Sequence, residues 1–320
     1  MEIFQLTLTQ MLTMFGFMMV GFWLRKSKIL PENAYLTMSR LETYFFVPAL
    51  NLFNWMTNCS ADSLAENAPL ILYGFLLTAV AVGLSYPLSR LFVRKTDTPE
   101  ADYRRNIYKY AMTFGNFGFM GNFIVLGIWG SEMLFRYSMF TLTTSFICNS
   151  WGLVILIPKD KAGNLSVKEL LKRMFAPPMI ALFVGLVAGL LGVKAYMPDF
   201  ALRVLEGGAD CMGPVAMVLA GVVIGGFDFR ELVANKKVYL ASLMRLIIIP
   251  MAFVSVLLLL GANAAVISFA LIAFATPLGL NTIVYPAAYG GEVKTGASMA
   301  MISHTLSVIT IPLLYLLFVG

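Results

Sequence analysis

Charge is what this sequence has least of. Asp, Glu, Lys and Arg make up 12% of its 320 residues, against about 25% in soluble globular chains. Cysteine and histidine are scarcer still, at three and one. Cys59, Cys148 and Cys211 are too few and too scattered for a disulfide framework or a zinc site, so all three are expected to be unpaired. A single histidine cannot supply an H-E-x-x-H metal motif, no adjacent pair of aspartates is present, and no G-x-x-x-x-G-K-[ST] loop appears. A metalloprotease, an aspartyl protease and an ATP-driven pump each lack their machinery. The chain is expected not to be an enzyme and to carry no metal or organic cofactor.

Apolar residues are abundant instead, at 59% compared with about 45–50% in ordinary domains. They fall into ten stretches: 4–24, 36–57, 69–93, 107–128, 133–157, 175–193, 199–226, 238–260, 262–289 and 295–319. Each is near the length of about 20 residues that a helix needs to cross a hydrocarbon core of about 30 Å. The expected fold is an all-α integral membrane protein with ten transmembrane helices. The longest polar stretch, 158–173, reads as a loop. "MEIFQLTLTQ" has no Lys or Arg before its first apolar run, unlike a signal peptide, so the first helix is expected to remain in the mature protein.

The net charge of +6 need not mean nucleic acid, because basic residues also report membrane orientation. Seventeen Lys and Arg flank the connections 1–2, 3–4, 5–6, 7–8 and 9–10, and three, Arg136, Lys194 and Arg203, flank the opposite ones. The remaining Arg40, Arg90 and Arg245 lie near segment ends on the rich side. By the positive-inside rule that side is cytoplasmic. The expectation is a multi-pass protein of the plasma (inner) membrane with both termini outside, its partners being the lipid bilayer and no nucleic acid.

Residue 160 divides the ten segments into halves, 1–160 and 161–320. Five is odd, so the second half enters the membrane in the opposite orientation, which is the topology of an inverted repeat. A shift of 160 places Phe114 on Phe274, Gly130 on Gly290, Glu132 on Glu292, Ser138 on Ser298 and Met139 on Met299. These identities bracket the two oddest segments. The fourth carries "FGNFGFMGNF" and the ninth "ATPLGLNTIVYP". Glycine weakens a helix interior by about 1 kcal/mol and proline by about 3, so both are expected to break near mid-membrane. Such breaks are tolerated at lipid depth where protein or a water-filled cavity satisfies the freed backbone.

Segments two and seven also share a plan: "RLETYFFVPALN" has Arg40, Glu42 and Pro48, and "RVLEGGADCMGP" has Arg203, Glu206, Asp210 and Pro214. Glu42 and Glu206 are expected to pair with nearby arginines. Two broken helices that cross at their breaks would bring half-helix N-termini together, and such ends carry about +0.5 charge each and favour anions. Asn116, Asn122 and Asn281 would add amide donors. Small-residue packing in the manner of GxxxG is the competing reading of "GNFGFMG". Asp210, about 16 Å into its segment at 1.5 Å per residue, and His304, the only histidine, are the ionisable candidates for a coupling proton or sodium ion. The 20 methionines read as lipid-facing filler.

"GNFGFMGNF" resembles the Asn-x-Gly-(aromatic)-x-Gly signature of the fourth helix in the auxin efflux carrier family, the bacterial and plant relatives of PIN proteins. "ATPLGLNTIVYPAAYGGEVKTGASMAMISHTLSVITIPLLY" is similar to that family's C-terminal block, and "FVPALNLF" and "GPVAMVLAGVVIGG" to its helices two and seven. The resemblance implies a fold related to bile-acid:sodium symporters and NhaA, with helices 1, 2, 6 and 7 as scaffold and 3–5 plus 8–10 as a mobile bundle. It also implies elevator-type secondary transport and a homodimer. Carried across, Asn116, Gly118 and Gly121 take the first crossover and Pro277 and Asn281 the second, with Asn122, Gly279 and Thr282 beside them. Asn122 departs from the small residue or proline frequent there, and the long cytoplasmic loop of plant PIN proteins is missing. The expected substrate is a small organic anion, either a dicarboxylate such as malate or an auxin-like aromatic acid. A sodium-coupled bile-acid-type carrier, a receptor and a channel are the alternatives.

Overall fold

Proline decides where two helices of this chain change pitch. Pro48 and Pro250 have no N–H to donate, and their rings would clash with the carbonyl four residues back. Immediately upstream of each, one turn widens to the π form, at Glu42–Phe46 and at Met244–Ile248. The Val47 and Ile249 amides then reach back five residues, to the carbonyls of Glu42 and Met244. The structure, a computed structural model, describes residues 2–95, 97–158 and 175–319. The polar stretch from 159 with its five Lys and Arg residues, and the division at 160, lie outside them.

The described residues are helical, with no strand beyond one isolated bridge. In chain order the longer helices are α1 (Glu2–Lys26), α2 (34–58), α3 (Ala61–Phe92), α4 (Pro99–Thr113), α5 (Phe117–Ile155), α6 (Pro177–Leu190), α7 (Asp199–Gly225), α8 (Lys236–Leu259), α9 (Ala264–Ala275), α10 (Asn281–Tyr289) and α11 (Lys294–Phe318), with short turns of helix at Val193–Tyr196 and Phe229–Val233. Six of these are long and apolar enough to cross a membrane: α1, α3, α5, α7, α8 and α11. The other apolar stretches are short or interrupted. The stretch 36–57 contains the first π turn, and 175–193 yields only α6. The stretches 107–128 and 262–289 are each split by non-helical residues, between α4 and α5 and between α9 and α10.

Two glycines turn the chain after these splits. Gly130 bends α5 with φ of 80°, and Gly290 ends α10 with φ of 67°. Both lie in the left-handed region that L side chains avoid, and they are the pair that the 160-residue shift superimposes.

The core surrounds α9, in which residues 266–275 are all buried, as expected for a helix apolar on every side. α1 lies along α7, α2 along α6 and α7, and α3 along α4 and α5. The α1–α7 contact is backbone to backbone: a Cβ on Gly21 would overlap the Val218 carbonyl, and one on Gly221 the Met18 carbonyl. Small residues permit this approach where lipid supplies no hydrophobic drive between helices. The methionines depart from the expectation of lipid-facing filler. Met11, Met14, Met18, Met120, Met212, Met217, Met299 and Met301 are all buried, because an unbranched thioether adapts to the irregular gaps between crossing helices.

The α1–α7 contact yields a stability prediction. Gly221→Ala should cost about 1–3 kcal/mol through overpacking, whereas Gly16→Ala, with nothing within 4 Å of its added Cβ, should be neutral or stabilising. Thermal unfolding of the two variants in detergent checks this; equal melting temperatures would contradict the backbone contact.

Candidate functional site

The two interruptions meet. α4 ends at Thr113 and α9 at Ala275, and the residues that follow pair through an antiparallel bridge between Gly115 and Leu278. The Asn116 amide donates to the Pro277 carbonyl at 2.7 Å. Local chemistry explains the arrangement. Pro277 biases Thr276 toward extended backbone, and Thr276 has ψ of 146°. The Leu278 N–H freed by the break donates to Ser303 Oγ at 3.0 Å. Gly115 sits where a Cβ would be 2.6 Å from both the Thr276 carbonyl oxygen and Oγ1, and a Cβ on Gly279 would lie 3.3 Å from the Gly115 carbonyl oxygen. The next helical stretches start directly beyond, at Phe117 and Asn281. Helix geometry leaves the amides of residues 117–119 without intrahelical acceptors, whereas at the second start the Thr282 amide already donates to the Gly279 carbonyl at 3.2 Å.

The ends of α4 and α9 expose carbonyls to the opposite side, where Arg245 of α8 receives them. It is fully buried. Nη1 donates to the Thr113 carbonyl at 3.1 Å and, more weakly, to Met112 at 3.5 Å. Nη2 donates to the Ala273 carbonyl at 3.0 Å. The guanidinium also lies 5.6 Å from the Phe274 ring centroid. By sequence position alone Arg245 marks the end of a segment. A charge inside the otherwise uncharged run 238–260 was the signal for something more, because intramembrane charges are expensive to keep.

Asn116 and Asn281 face different neighbours. Asn116 is buried, with Nδ2 at 3.4 Å from His304 Nε2. His304 Nδ1 lies 2.7 Å from the Ala300 carbonyl, an acceptor only, which places the ring proton on Nδ1 and leaves the Nε2 lone pair toward Asn116. Beside them is a cavity of about 10 Å³ lined by Met11, Met14, Met18, Met120, Met217 and His304, among others. Asn281 is half-buried and donates to Tyr110 Oη at 2.8 Å, and Tyr110 Oη lies 3.1 Å from Cys148 Sγ. Tyr110 and Cys148 gave no sequence signal: tyrosines are frequent in this chain, and Cys148 read as an unpaired thiol. The three cysteines are free.

The remaining candidates divide. Pro277, Gly279 and Thr282 are buried within the second interruption and the turn after it, with Thr282 Oγ1 donating to the Gly279 carbonyl at 2.9 Å. Gly118 has open space where a side chain would be, so a ligand can approach its backbone. Gly121 instead packs against the Tyr137 hydroxyl and Ile272. Asn122 is half-buried at the next turn. Asp210 is exposed on the same face of α7 as Arg203 and Glu206, and forms no hydrogen bond or ion pair with the crossover residues. Two expected ion pairs do not form. Glu42 is buried with both carboxyl oxygens unpartnered, because the widened turn before Pro48 carries it into the protein. Glu206 remains exposed without an arginine partner among the described residues. A larger cavity, about 360 Å³, lies where α1 and α7 end, lined by Arg25, Glu32, Tyr35, Phe227, Ile283 and Val293 with others. Ile283 is two residues beyond Asn281.

Residues 6–315 match the family described as "Membrane transport protein". An uncharacterized transporter of Methanocaldococcus jannaschii is 23% identical over 296 residues, covering 92% of this chain and 93% of that protein. An uncharacterized transporter of Methanothermobacter thermautotrophicus is 26% identical over 198 residues, covering 62% of this chain and 63% of that protein, less than two thirds of its length. With helices long and apolar enough to cross a bilayer and a family match over nearly the whole chain, this multi-pass membrane protein belongs to the membrane transport protein family of auxin-efflux-carrier, PIN-like transporters.

Proposed function

We propose that the chain is a secondary carrier of a small organic anion, bound where the two interruptions cross and exposed to each side of the membrane in turn. The observation that carries this reading is the antiparallel pairing of Gly115 with Leu278, because it brings the helix starts at Phe117 and Asn281 to one place. Those ends favour negative charge. Asn116 and Asn281 supply side-chain amides, and Gly118 leaves the backbone open to a ligand. A carboxylate would be held without a cationic side chain on its own side of the crossing.

In this reading the ten apolar stretches form two inverted halves, 1–160 and 161–320, with Gly130 and Gly290 as equivalent corners. α1, α2, α6 and α7 serve as scaffold, and α3–α5 with α8–α11 as the moving bundle. The bundle meets the scaffold through the buried methionines of α1, α5 and α7 beside His304. Flexible thioethers can repack as one body slides past another. Discontinuous helices at a midplane site are the recurring device of such carriers. His304, the ionisable candidate that touches Asn116, is the proposed site of any coupled proton. Asp210, with Arg203 and Glu206, forms an exposed charged face on α7 that a second copy would cover, giving a homodimer. A carrier is favoured over a channel because polarity is concentrated at one crossing rather than along a pore.

Uptake of labelled malate and of an aromatic acid into proteoliposomes tests the proposal. The expected result is saturable uptake, accelerated by substrate on the opposite side; linear uptake without exchange would contradict it. Asn116→Ala or Asn281→Ala should leave the protein folded and raise the half-saturating concentration about 10- to 100-fold, as for a lost hydrogen bond to a charged group worth about 1.5–3 kcal/mol. Wild-type affinity in both would refute the placement.

Asp210→Asn should leave that concentration unchanged and lower the fraction of dimer measured by light scattering in detergent. An altered affinity with the dimer intact would return Asp210 to the substrate path.

A further inference from the structure

Arg245 is fully buried in α8, and among the described residues no Asp or Glu forms an ion pair with it. A guanidinium cannot shed its proton in a protein, so its charge must be balanced by something else. What surrounds it are the carbonyl ends of two half-helices: Thr113 and Met112 from α4, and Ala273 from α9. The Phe274 ring face is also within reach. Each helix C-terminus carries about −0.5 charge. Two such ends sum to about −1, which a single guanidinium matches.

We propose that Arg245 is the resident counter-cation of the crossing, standing where a coupling metal cation would otherwise bind, so that movement of the organic anion does not require sodium. Unwound carbonyls and half-helix C-termini are the groups that coordinate sodium ions in carriers with broken helices. Here those acceptors are already engaged by three N–H···O contacts from one side chain, and a second cation would be repelled by the first. Gly115 is part of the same device, because a Cβ there would lie 2.7 Å from Arg245 Nη2. The substrate side is untouched: Phe117 and Asn281 begin their helices beyond the paired residues, so their positive ends remain for an anion. Arg245 is thus a positioning residue, holding the two interruptions in register and setting the sign of the site without touching the substrate. The inference rests on the carrier reading only for its sodium-free transport; the cation's structural place is independent of it.

The test uses the purified full-length protein in detergent, melted in sodium, lithium or guanidinium chloride at low concentration against choline chloride at equal ionic strength. Wild type should melt at the same temperature in sodium as in choline. Arg245→Ala should melt lower in choline and recover by about 3 °C or more in guanidinium, because the free ion can occupy the vacated space. Arg245→Lys, which keeps the charge, should recover part of the loss without added ion. Arg136→Gln, which removes a half-buried arginine paired with Glu132 rather than with helix-end carbonyls, should show no cation-specific change. Specific stabilisation of wild type by sodium would overturn the proposal, as would an Arg245→Lys protein as impaired as Arg245→Ala with no recovery in guanidinium. If Arg245→Ala does not fold, the wild-type and Arg245→Lys comparisons decide. Because melting needs no substrate, failure to find any transported acid would defeat the carrier reading and leave this result standing, whereas flux that requires a sodium gradient would defeat this inference and leave the carrier.

Discussion

Every backbone N–H and C=O at lipid depth must find a partner inside the protein, and the architecture follows from how this chain meets that demand at two places where its helices stop. Asn116 N–H goes to the Pro277 carbonyl, Leu278 N–H to Ser303, and the Thr113 and Ala273 carbonyls to Arg245. Each interruption satisfies groups that the other, or a helix packed against both, would leave unpaired. A helix continued through either place would remove the partner of the other. That mutual dependence explains how residues costly to helices persist in the middle of apolar runs.

The same pairing creates an electrical asymmetry. Two helix ends of negative sign point toward Arg245, and two helix starts of positive sign lie past the paired residues. One side of the crossing faces a cation built into the chain, and in the proposed reading the other receives the anion. Around it, close backbone contact and adaptable packing stand side by side. Backbone contact at Gly21 and Gly221 fixes α1 to α7, while buried methionines fill the seam between these helices and the half-helix that begins at Phe117.

Much of this was legible in residue chemistry. Glycine and proline inside apolar runs announce both breaks, and the 160-residue offset pairs Gly130 with Gly290, which share a positive φ. Asn116 and Asn281 stood out as amides at those breaks. Other features depend on distances that sequence does not carry. Gly115 is the glycine that the crossing requires, yet nothing in "FGNFGFMG" separates it from Gly121, which makes room for Tyr137 instead. Arg245 looked like one more cation near a segment end until the carbonyls around it were visible. Asp210 lies on an exposed face of α7, since helical periodicity alone cannot say which neighbour a face meets. Methionine hydrophobicity suits lipid and core equally, and only packing shows that this chain uses it at a seam.

The central claim is that the backbone amides beyond the paired interruptions are the anion site. Hydrogen–deuterium exchange on the purified protein, with and without a transported organic acid, reads those amides directly. The account predicts slowed exchange at residues 117–119 and 280–281 when the acid is bound. Slowing confined to the cavity around Arg25, with both crossover segments unchanged, would contradict it.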